Sequence, residues 1–199
     1  MLFCEAMKKG EQTKQMILEI GLDMASQFGL ESVSIGSLAK ATGMSKSGVF
    51  AHFESKENLQ VEILKYAAEL FSAGVIVPAL KTKAGIPRIK ALVNNWVAWT
   101  ERMTGGCIFV STSTEFSDRP GRVRETLLGQ QEDWLDCLRK IAQSAIKVGD
   151  LRKDIDCDQF AFDLYSLLLG FYLYHGLLHN SDTKKRQEAA LKRLLADYQ

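Results

Sequence analysis

Proline is scarce in this sequence, with three residues in a chain of 199, and the scarcity leaves room for long uninterrupted helices. The four cysteines form no CxxC pair, and their spacing indicates neither a disulfide framework nor a zinc site. We therefore expect free thiols in a reducing cytoplasm. A nucleophile elbow, a phosphate-binding loop and a paired catalytic acid and base are also missing, so we predict no enzyme, no catalytic residue and no cofactor.

A surplus of either charge is absent as well. The chain carries 25 basic and 24 acidic residues, for a net charge of +1. Residues 1–65 hold seven basic and eight acidic residues, a net charge of −1 that argues mildly against nucleic-acid binding there. However, no acid lies between Glu31 and Glu54, and Lys40 and Lys46 fall inside that window. A local basic patch is sufficient to attract phosphate.

A clear membrane span is missing too. The 18 residues 164–181 contain no Asp, Glu, Lys or Arg, which reaches the lower limit of a spanning helix. Polar residues and two glycines interrupt the stretch, so we predict a helix at an oligomer interface and no membrane contact. The N-terminus shows no apolar run of signal-peptide length, and we expect a cytoplasmic protein.

Helical periodicity, in contrast, is present almost throughout, and no convincing period-two alternation indicates a strand. The pattern predicts an all-α fold. Pro78 and Pro87 are expected to interrupt helical structure, so we predict a connection between two helices over 75–87. The predicted helices cover about 11–28, 35–42, 46–52, 56–70, 88–103, 107–116, 122–148, 157–179 and 183–198.

Two short helices joined by a tight turn lie near the N-terminus. Ser34 and Ser45 are placed to cap them, and Gly43 stands where the chain must reverse. This arrangement, next to an amphipathic first helix, is typical of a helix-turn-helix. The second short helix of such a unit enters a DNA major groove about 12 Å wide.

Residues 17–64 resemble the DNA-binding domain of the tetracycline-repressor (TetR) family. The resemblance implies a three-helix helix-turn-helix domain over residues 1–60 and a helical-bundle domain for effector binding and dimerisation over residues 61–199. The segments that carry it are Phe28-Gly29, Val33-Ser34-Ile35, Leu38-Ala39, Thr42-Gly43-Met44-Ser45, Lys46-Ser47-Gly48-Val49-Phe50, His52-Phe53 and Ser55-Lys56-Glu57-Asn58-Leu59.

The family's residue roles are transferred position by position. Lys46 begins the recognition helix, and Val49 and Phe53 match buried positions. Phe50 stands where many members have a tyrosine whose hydroxyl binds phosphate, and Ala51 offers only a methyl group, so direct base contacts are expected to be few. The residues predicted to contact DNA are Ser34, Ser45, Lys46, Ser47, Phe50, His52 and Lys56.

The resemblance implies a transcriptional regulator, in the family's usual mode a ligand-released repressor. It would bind a pseudo-palindromic operator as a homodimer formed through the last two helices. A small-molecule effector, unidentified by the sequence, is expected in the second domain. Trp96, Phe116 and Trp134 are the candidate effector contacts, and Glu115 nearby is either a cation selector or a solvated side chain. Two alternatives stay open: a DNA-organising protein with the same fold, and a helical ligand-binding or enzymatic protein with a degenerate helix-turn-helix.

Two further candidate sites receive weaker predictions. His175 and His179 have the i, i+4 spacing of metal ligands on one helix face, but no third ligand is evident, so no metal is predicted. Cys107 follows two glycines and is a candidate redox-sensing thiol, but it lacks a basic neighbour that would lower its pKa. We expect structural or interface roles for the two histidines and no redox role for Cys107.

Overall fold

The computed structural model describes residues 9–199, and in this range the chain is helical with no strand, which confirms the all-α prediction. A 3-10 turn over Leu30–Ser32 and a π-turn over Ser72–Ile76 supplement the α-helices. Cys4 lies outside the described residues. The helices are α1 (Lys9–Phe28), α2 (Ile35–Thr42), α3 (Lys46–Phe53), α4 (Lys56–Phe71), α5 (Val77–Leu80), α6 (Ile86–Arg102), α7 (Ile108–Phe116), α8 (Arg122–Lys147), α9 (Cys157–Gly176) and α10 (Thr183–Tyr198).

Serine caps set the starts of α2, α3 and α4. The Oγ atoms of Ser34, Ser45 and Ser55 each accept a backbone N–H three residues further on, at 3.1 Å. Each bond satisfies one of the free N–H groups of a first helical turn. Gly43 follows α2 in the left-handed conformation, with φ 69°, which glycine adopts without strain. The helix-turn-helix therefore forms as predicted.

A buried apolar core holds α1, α2 and α3 together. Ile17, Leu38, Val49 and Phe53 have no exposed surface. Phe28, in the last turn of α1, lies outside this core, with its side chain 68% exposed. At this end of α1 the buried face shifts to residues 25 and 26, and the Ser26 hydroxyl contacts the segment between α6 and α7.

The stretch over 75–87 differs from the predicted connection. The helical path of α4 continues through the π-turn into α5, and Pro78 lies in the first turn of α5, where a missing N–H costs little. Pro87 starts α6 in the same way. Helix α9 ends at Gly176, three residues before the predicted end.

One helical stretch in the described range, Lys56–Leu80, is long and apolar enough to cross a membrane by length and composition alone. Its most apolar window has a mean hydropathy of 1.5 and is 33% buried. The stretch packs against α1, α6 and α8. Core helices of water-soluble proteins share these properties, so the feature is weak support for a membrane span.

Candidate functional site

Helix α3 turns one side to the core and the other to solvent. Val49 and Phe53 are fully buried, whereas Lys46 and Ser47 are exposed. Phe50 is 53% exposed, so it lies on the outer face and not in the core. The solvent side of α3 therefore combines one cation, hydroxyl groups and an aromatic ring. This combination suits contact with a phosphate backbone and the edge of a groove.

The predicted hydroxyl contacts already have local partners. Ser34 Oγ accepts the N–H of Ser37, and the Ser37 hydroxyl in turn accepts the N–H of Ser34 at 2.9 Å, a reciprocal capping box. Ser45 Oγ caps α3 and lies 3.1 Å from Ser47 Oγ. These hydroxyls fix the start of each short helix and so set the direction in which the helix points.

Lys46 and Lys56, the two lysines predicted to contact DNA, differ in their surroundings. Within residues 9–199 the Lys46 ammonium forms no ion pair. Lys56 Nζ lies 2.6 Å from the carbonyl oxygen of Glu31 and 2.7 Å from its Oε1. This hydrogen bond is the main reason that the pKa of the Glu31 carboxyl is lowered, and Arg119 at 3.5 Å adds to the effect. The Lys56 ammonium is thus already paired with Glu31 of the same chain.

His52, the remaining predicted DNA contact, lies in the last turn of α3 and is half-buried. Its ring is 6.1 Å from that of Phe53. The chain turns directly after α3, where Glu54 has a φ of 63°, a strained value for a residue other than glycine. The imidazole is therefore at the surface beside the junction with α4.

Carboxylates connect the DNA-binding region to the rest of the molecule. Glu115, at the end of α7, accepts the backbone N–H groups of Leu30 and Glu31, both at 2.9 Å. Glu57 Oε1 accepts the N–H of Arg122 at the start of α8, at 3.2 Å. Both oxygens of Glu115, the candidate cation selector, therefore cap the 3-10 turn after α1.

The segment between α6 and α7 is fixed to α1. The N–H of Gly105 donates to Ser26 Oγ at 2.7 Å, and the Thr104 hydroxyl donates to Asp23 at 3.1 Å. A Cβ atom at position 105 would lie 1.6 Å from the carbonyl oxygen of Ser26. Only glycine permits this approach, so the contact between the two regions depends on this residue.

A cavity of about 220 Å³ lies among α4, the π-turn, α6, α7, α8 and α9. Trp96 and Trp134, two of the three candidate effector contacts, line it. Phe116 does not: it is buried near the end of α7, with the Arg119 guanidinium 5.4 Å from its ring centre. Sequence reasoning missed the other lining residues, which are Ala68, Phe71, Ser72, Ile76, Cys107, Phe109, Gln130, Gln131, Asp133 and Tyr165.

Polar groups in the cavity wall fall into two sets. Gln131 is fully engaged, since its amide donates to Ser113 Oγ at 3.0 Å and its oxygen accepts the Tyr165 hydroxyl at 2.9 Å. Gln130 uses its amide on the carbonyl of Leu64 at 2.9 Å, but its buried Oε1 has no partner among residues 9–199. The same holds for the buried indole N–H of Trp134. The sequence signal for this pair was the i, i+4 spacing of Gln130 and Trp134, which places both residues on one face of an amphipathic helix.

The weaker candidate sites are structural. His175 stacks on Phe171 at 5.2 Å, whereas His179 follows the end of α9 with a φ of 47°, so the two do not share a helix face. No group of three His, Cys, Asp or Glu residues in the described part of the chain is arranged to hold a metal ion. Cys107 is completely buried, and burial raises the pKa of its thiol, which leaves it unreactive.

Comparison with known proteins gives the class of the molecule. Residues 17–63 match the family model described as bacterial regulatory proteins, tetR family, and residues 85–191 match the tetracyclin repressor-like C-terminal domain. The chain is 27% identical over 150 residues to the transcriptional repressor DhaR of Mycobacterium sp. strain GP1, covering 74% of each chain. It is 38% identical over 56 residues to the regulator AcrR of Shigella flexneri, covering 28% of this chain and 26% of AcrR.

Solved structures agree. A TetR transcriptional regulator from Chloroflexus aurantiacus J-10-FL superimposes with a TM-score of 0.84 at 26% identity, covering 96% of each chain. The fold and the helix-turn-helix define a DNA-binding transcriptional regulator and not an enzyme. The chain belongs to the TetR family.

Proposed function

We propose that this regulator is a ligand-released repressor that binds a pseudo-palindromic operator as a homodimer in the cytoplasm. Residues 1–60 would bind DNA, and residues 61–199 would bind the effector and form the dimer. The observation that carries the proposal is the exposed face of α3, held outward by the buried Val49 and Phe53. The likeness to DhaR, a transcriptional repressor, supports repression as the mode of action.

The proposed DNA contacts have two roles. Ser34, His52 and Lys56 would bind phosphate. Lys46 and Ser47 would lie near base edges and the DNA backbone, with Ser45 beside them at the start of α3. Phe50 and Ala51 would contact bases only through apolar surface, because neither side chain forms hydrogen bonds. Much of the sequence preference would then come from DNA shape and deformability.

An apolar stripe on α9 supports dimerisation through the last two helices. Phe162 is 65% exposed, and Leu169 and Leu173 follow at helical spacing on the same side, 38% and 47% exposed. Leu177 and Leu178, just past the helix end, are 70% and 55% exposed. A second copy of the chain, related by a two-fold axis, would cover this stripe with an identical one. The two α3 helices would then enter successive major grooves about 34–36 Å apart.

Helix α4 provides a mechanical connection between effector and DNA. Its first residue, Lys56, lies next to α3, and its last residue, Phe71, lines the cavity. A ligand that binds best when α4 is displaced would move the start of α4 and change the spacing of the two α3 helices. Such a ligand releases DNA only by the difference in its affinity for the two conformations.

Gel-shift titration against the DNA flanking the protein's own gene, with scrambled competitor present, tests the proposal. We expect a discrete shift that survives competitor and is weakened by Lys46→Ala. The matched control is Lys140→Ala, because Lys140 is an exposed lysine on α8, paired with Asp136. Both variants lose one positive charge, so only a local contact distinguishes them.

The outcomes separate the candidate functions. A smeared shift abolished by competitor would favour a DNA-organising protein. Equal behaviour of Lys46→Ala and Lys140→Ala would contradict the assignment of α3 as the recognition helix. If no shift occurred at any salt concentration, the proposed repressor function would be wrong for the ligand-free protein.

A further inference from the structure

The size of the cavity restricts the ligand that it accepts. Its volume of about 220 Å³ exceeds the roughly 150 Å³ of a buried apolar cavity that binds benzene. It falls below the roughly 300 Å³ at which pockets for drug-sized molecules begin. The space therefore suits a single six-membered ring with one or two attached heavy atoms.

The walls of the cavity favour an aromatic or alicyclic ring. Phe71 is central: its ring meets those of Phe109 and Trp134 edge to face, with centroids 5.5 and 5.2 Å apart. Trp134 in turn meets the ring of Tyr165 at 6.3 Å. Edge-to-face contacts of this kind are the preferred geometry between aromatic rings, and a ligand ring would extend the same pattern.

Two polar atoms in the wall lack partners and complement each other. The Trp134 indole N–H is a donor, and the side chain is 6% exposed. Gln130 Oε1 is an acceptor one helical turn away on α8, and neither atom has a hydrogen-bond partner among the described residues. Because an unpaired buried polar group is costly, a bound molecule that satisfies both gains affinity. A hydroxyl group does so, since it accepts one hydrogen bond and donates another.

The lack of positively charged side chains in the described lining argues against an anionic ligand. None of the described residues that line the cavity is Lys, Arg or His, and the one ionisable carboxylate, that of Asp133, is on an exposed residue at the rim. A buried anion without a cationic partner is strongly disfavoured. A quaternary ammonium ion without a hydroxyl group would suit the aromatic walls, but it has no N–H or O–H to give to Gln130 and no acceptor for Trp134.

We infer that the effector is a small neutral molecule with one ring and one hydroxyl group, a monocyclic alcohol or phenol. Its ring packs among the rings of Phe71, Phe109 and Tyr165. Its hydroxyl donates to Gln130 Oε1 and accepts from Trp134 Nε1. This inference rests on the proposed effector role of the cavity and adds the chemical class of the effector.

Calorimetric titration of the purified full-length protein tests the inference with four probes of similar size: benzyl alcohol, toluene, benzoate and benzyltrimethylammonium. We expect benzyl alcohol to bind at least tenfold more tightly than each of the others. Trp134→Phe keeps an aromatic side chain but removes the indole N–H, so it should weaken benzyl alcohol binding about tenfold and change toluene binding much less. Trp99→Phe is the matched control, because Trp99 is a buried tryptophan that packs on Phe71 outside the cavity lining.

Several results would overturn the inference: toluene binding as tightly as benzyl alcohol, tighter binding of benzoate or the ammonium ion, or no binding of any probe. The comparison of probes on the unaltered protein holds even if Trp134→Phe fails to fold. A parallel gel shift separates this inference from the proposed function. Release of DNA by benzoate or the ammonium ion alone would contradict the inference and support the proposed function. Binding of benzyl alcohol without release would support the cavity chemistry and contradict the effector role.

Discussion

Replacing Glu31 by glutamine should strengthen DNA binding. The Glu31 carboxylate holds the Lys56 ammonium at 2.7 Å and lies 3.5 Å from the Arg119 guanidinium. If Lys56 binds phosphate in the complex, the phosphate must compete with this carboxylate. Glu31→Gln removes this competing negative charge and keeps the size of the side chain.

The magnitude follows from the exposure of the pair. The Lys56 and Glu31 side chains are 40% and 46% exposed, and ion pairs at such positions contribute about 0–1 kcal/mol. Release of one pair in each protomer of a dimer would then raise DNA affinity by up to about 2 kcal/mol, or roughly 30-fold. The free energy of unfolding should change by less than about 1 kcal/mol, for the same reason.

Fluorescence anisotropy with a labelled operator fragment, at several salt concentrations, measures the effect. We expect Glu31→Gln to bind more tightly, Lys56→Ala to bind more weakly with a shallower salt dependence, and the double variant to show no gain over Lys56→Ala. A loss of affinity in Glu31→Gln would refute the reasoning, since it would mean that Glu31 positions Lys56 for the phosphate.

Three further predictions follow from contacts elsewhere. Gly105→Ala should lower the free energy of unfolding by at least about 2 kcal/mol in urea denaturation, because its Cβ would collide with Ser26. The control Gly129→Ala, with open space around it, should be neutral or slightly stabilising, and equal effects of the two substitutions would contradict the predicted collision. Glu115→Gln should cost about 1–2 kcal/mol in the same assay, since an amide oxygen replaces two charged acceptors of backbone N–H groups, and no loss would show that the cap is dispensable. Leu173→Glu should convert the dimer to a folded monomer by light scattering and abolish tight operator binding, and a persisting dimer would exclude the α9 stripe as the interface.

The helix-turn-helix was predictable because its determinants are local. Serine caps, the glycine at the left-handed position and the apolar spacing of α3 all lie within about twenty residues, and the structure places each as expected. The turn that joins α5 to α4 was not predictable in the same way. Proline is tolerated in a first helical turn, and the sequence alone does not show that a π-turn over Ser72–Ile76 precedes it.

The candidate cavity was only partly predictable, because it depends on contacts between distant segments. Trp96 and Trp134 line it, but Phe116 packs elsewhere, and nothing in helical spacing separates a cavity wall from a solid core. The hydrogen bond between Lys56 and Glu31 joins residues 25 positions apart, so local sequence patterns do not predict it. The same holds for Glu115, which reaches 85 positions back to the N–H of Leu30.

Hydroxyl-radical footprinting of the protein on a fragment that it shifts tests the central claim most directly. A dimer that presents two α3 helices predicts two protected patches, related by a two-fold axis and separated by one helical turn, about 10 base pairs, or a multiple of it. The patches should weaken together in Lys46→Ala. Continuous protection without symmetry, or a single patch unaffected by Lys46→Ala, would contradict the account of this chain as a dimeric, operator-specific regulator.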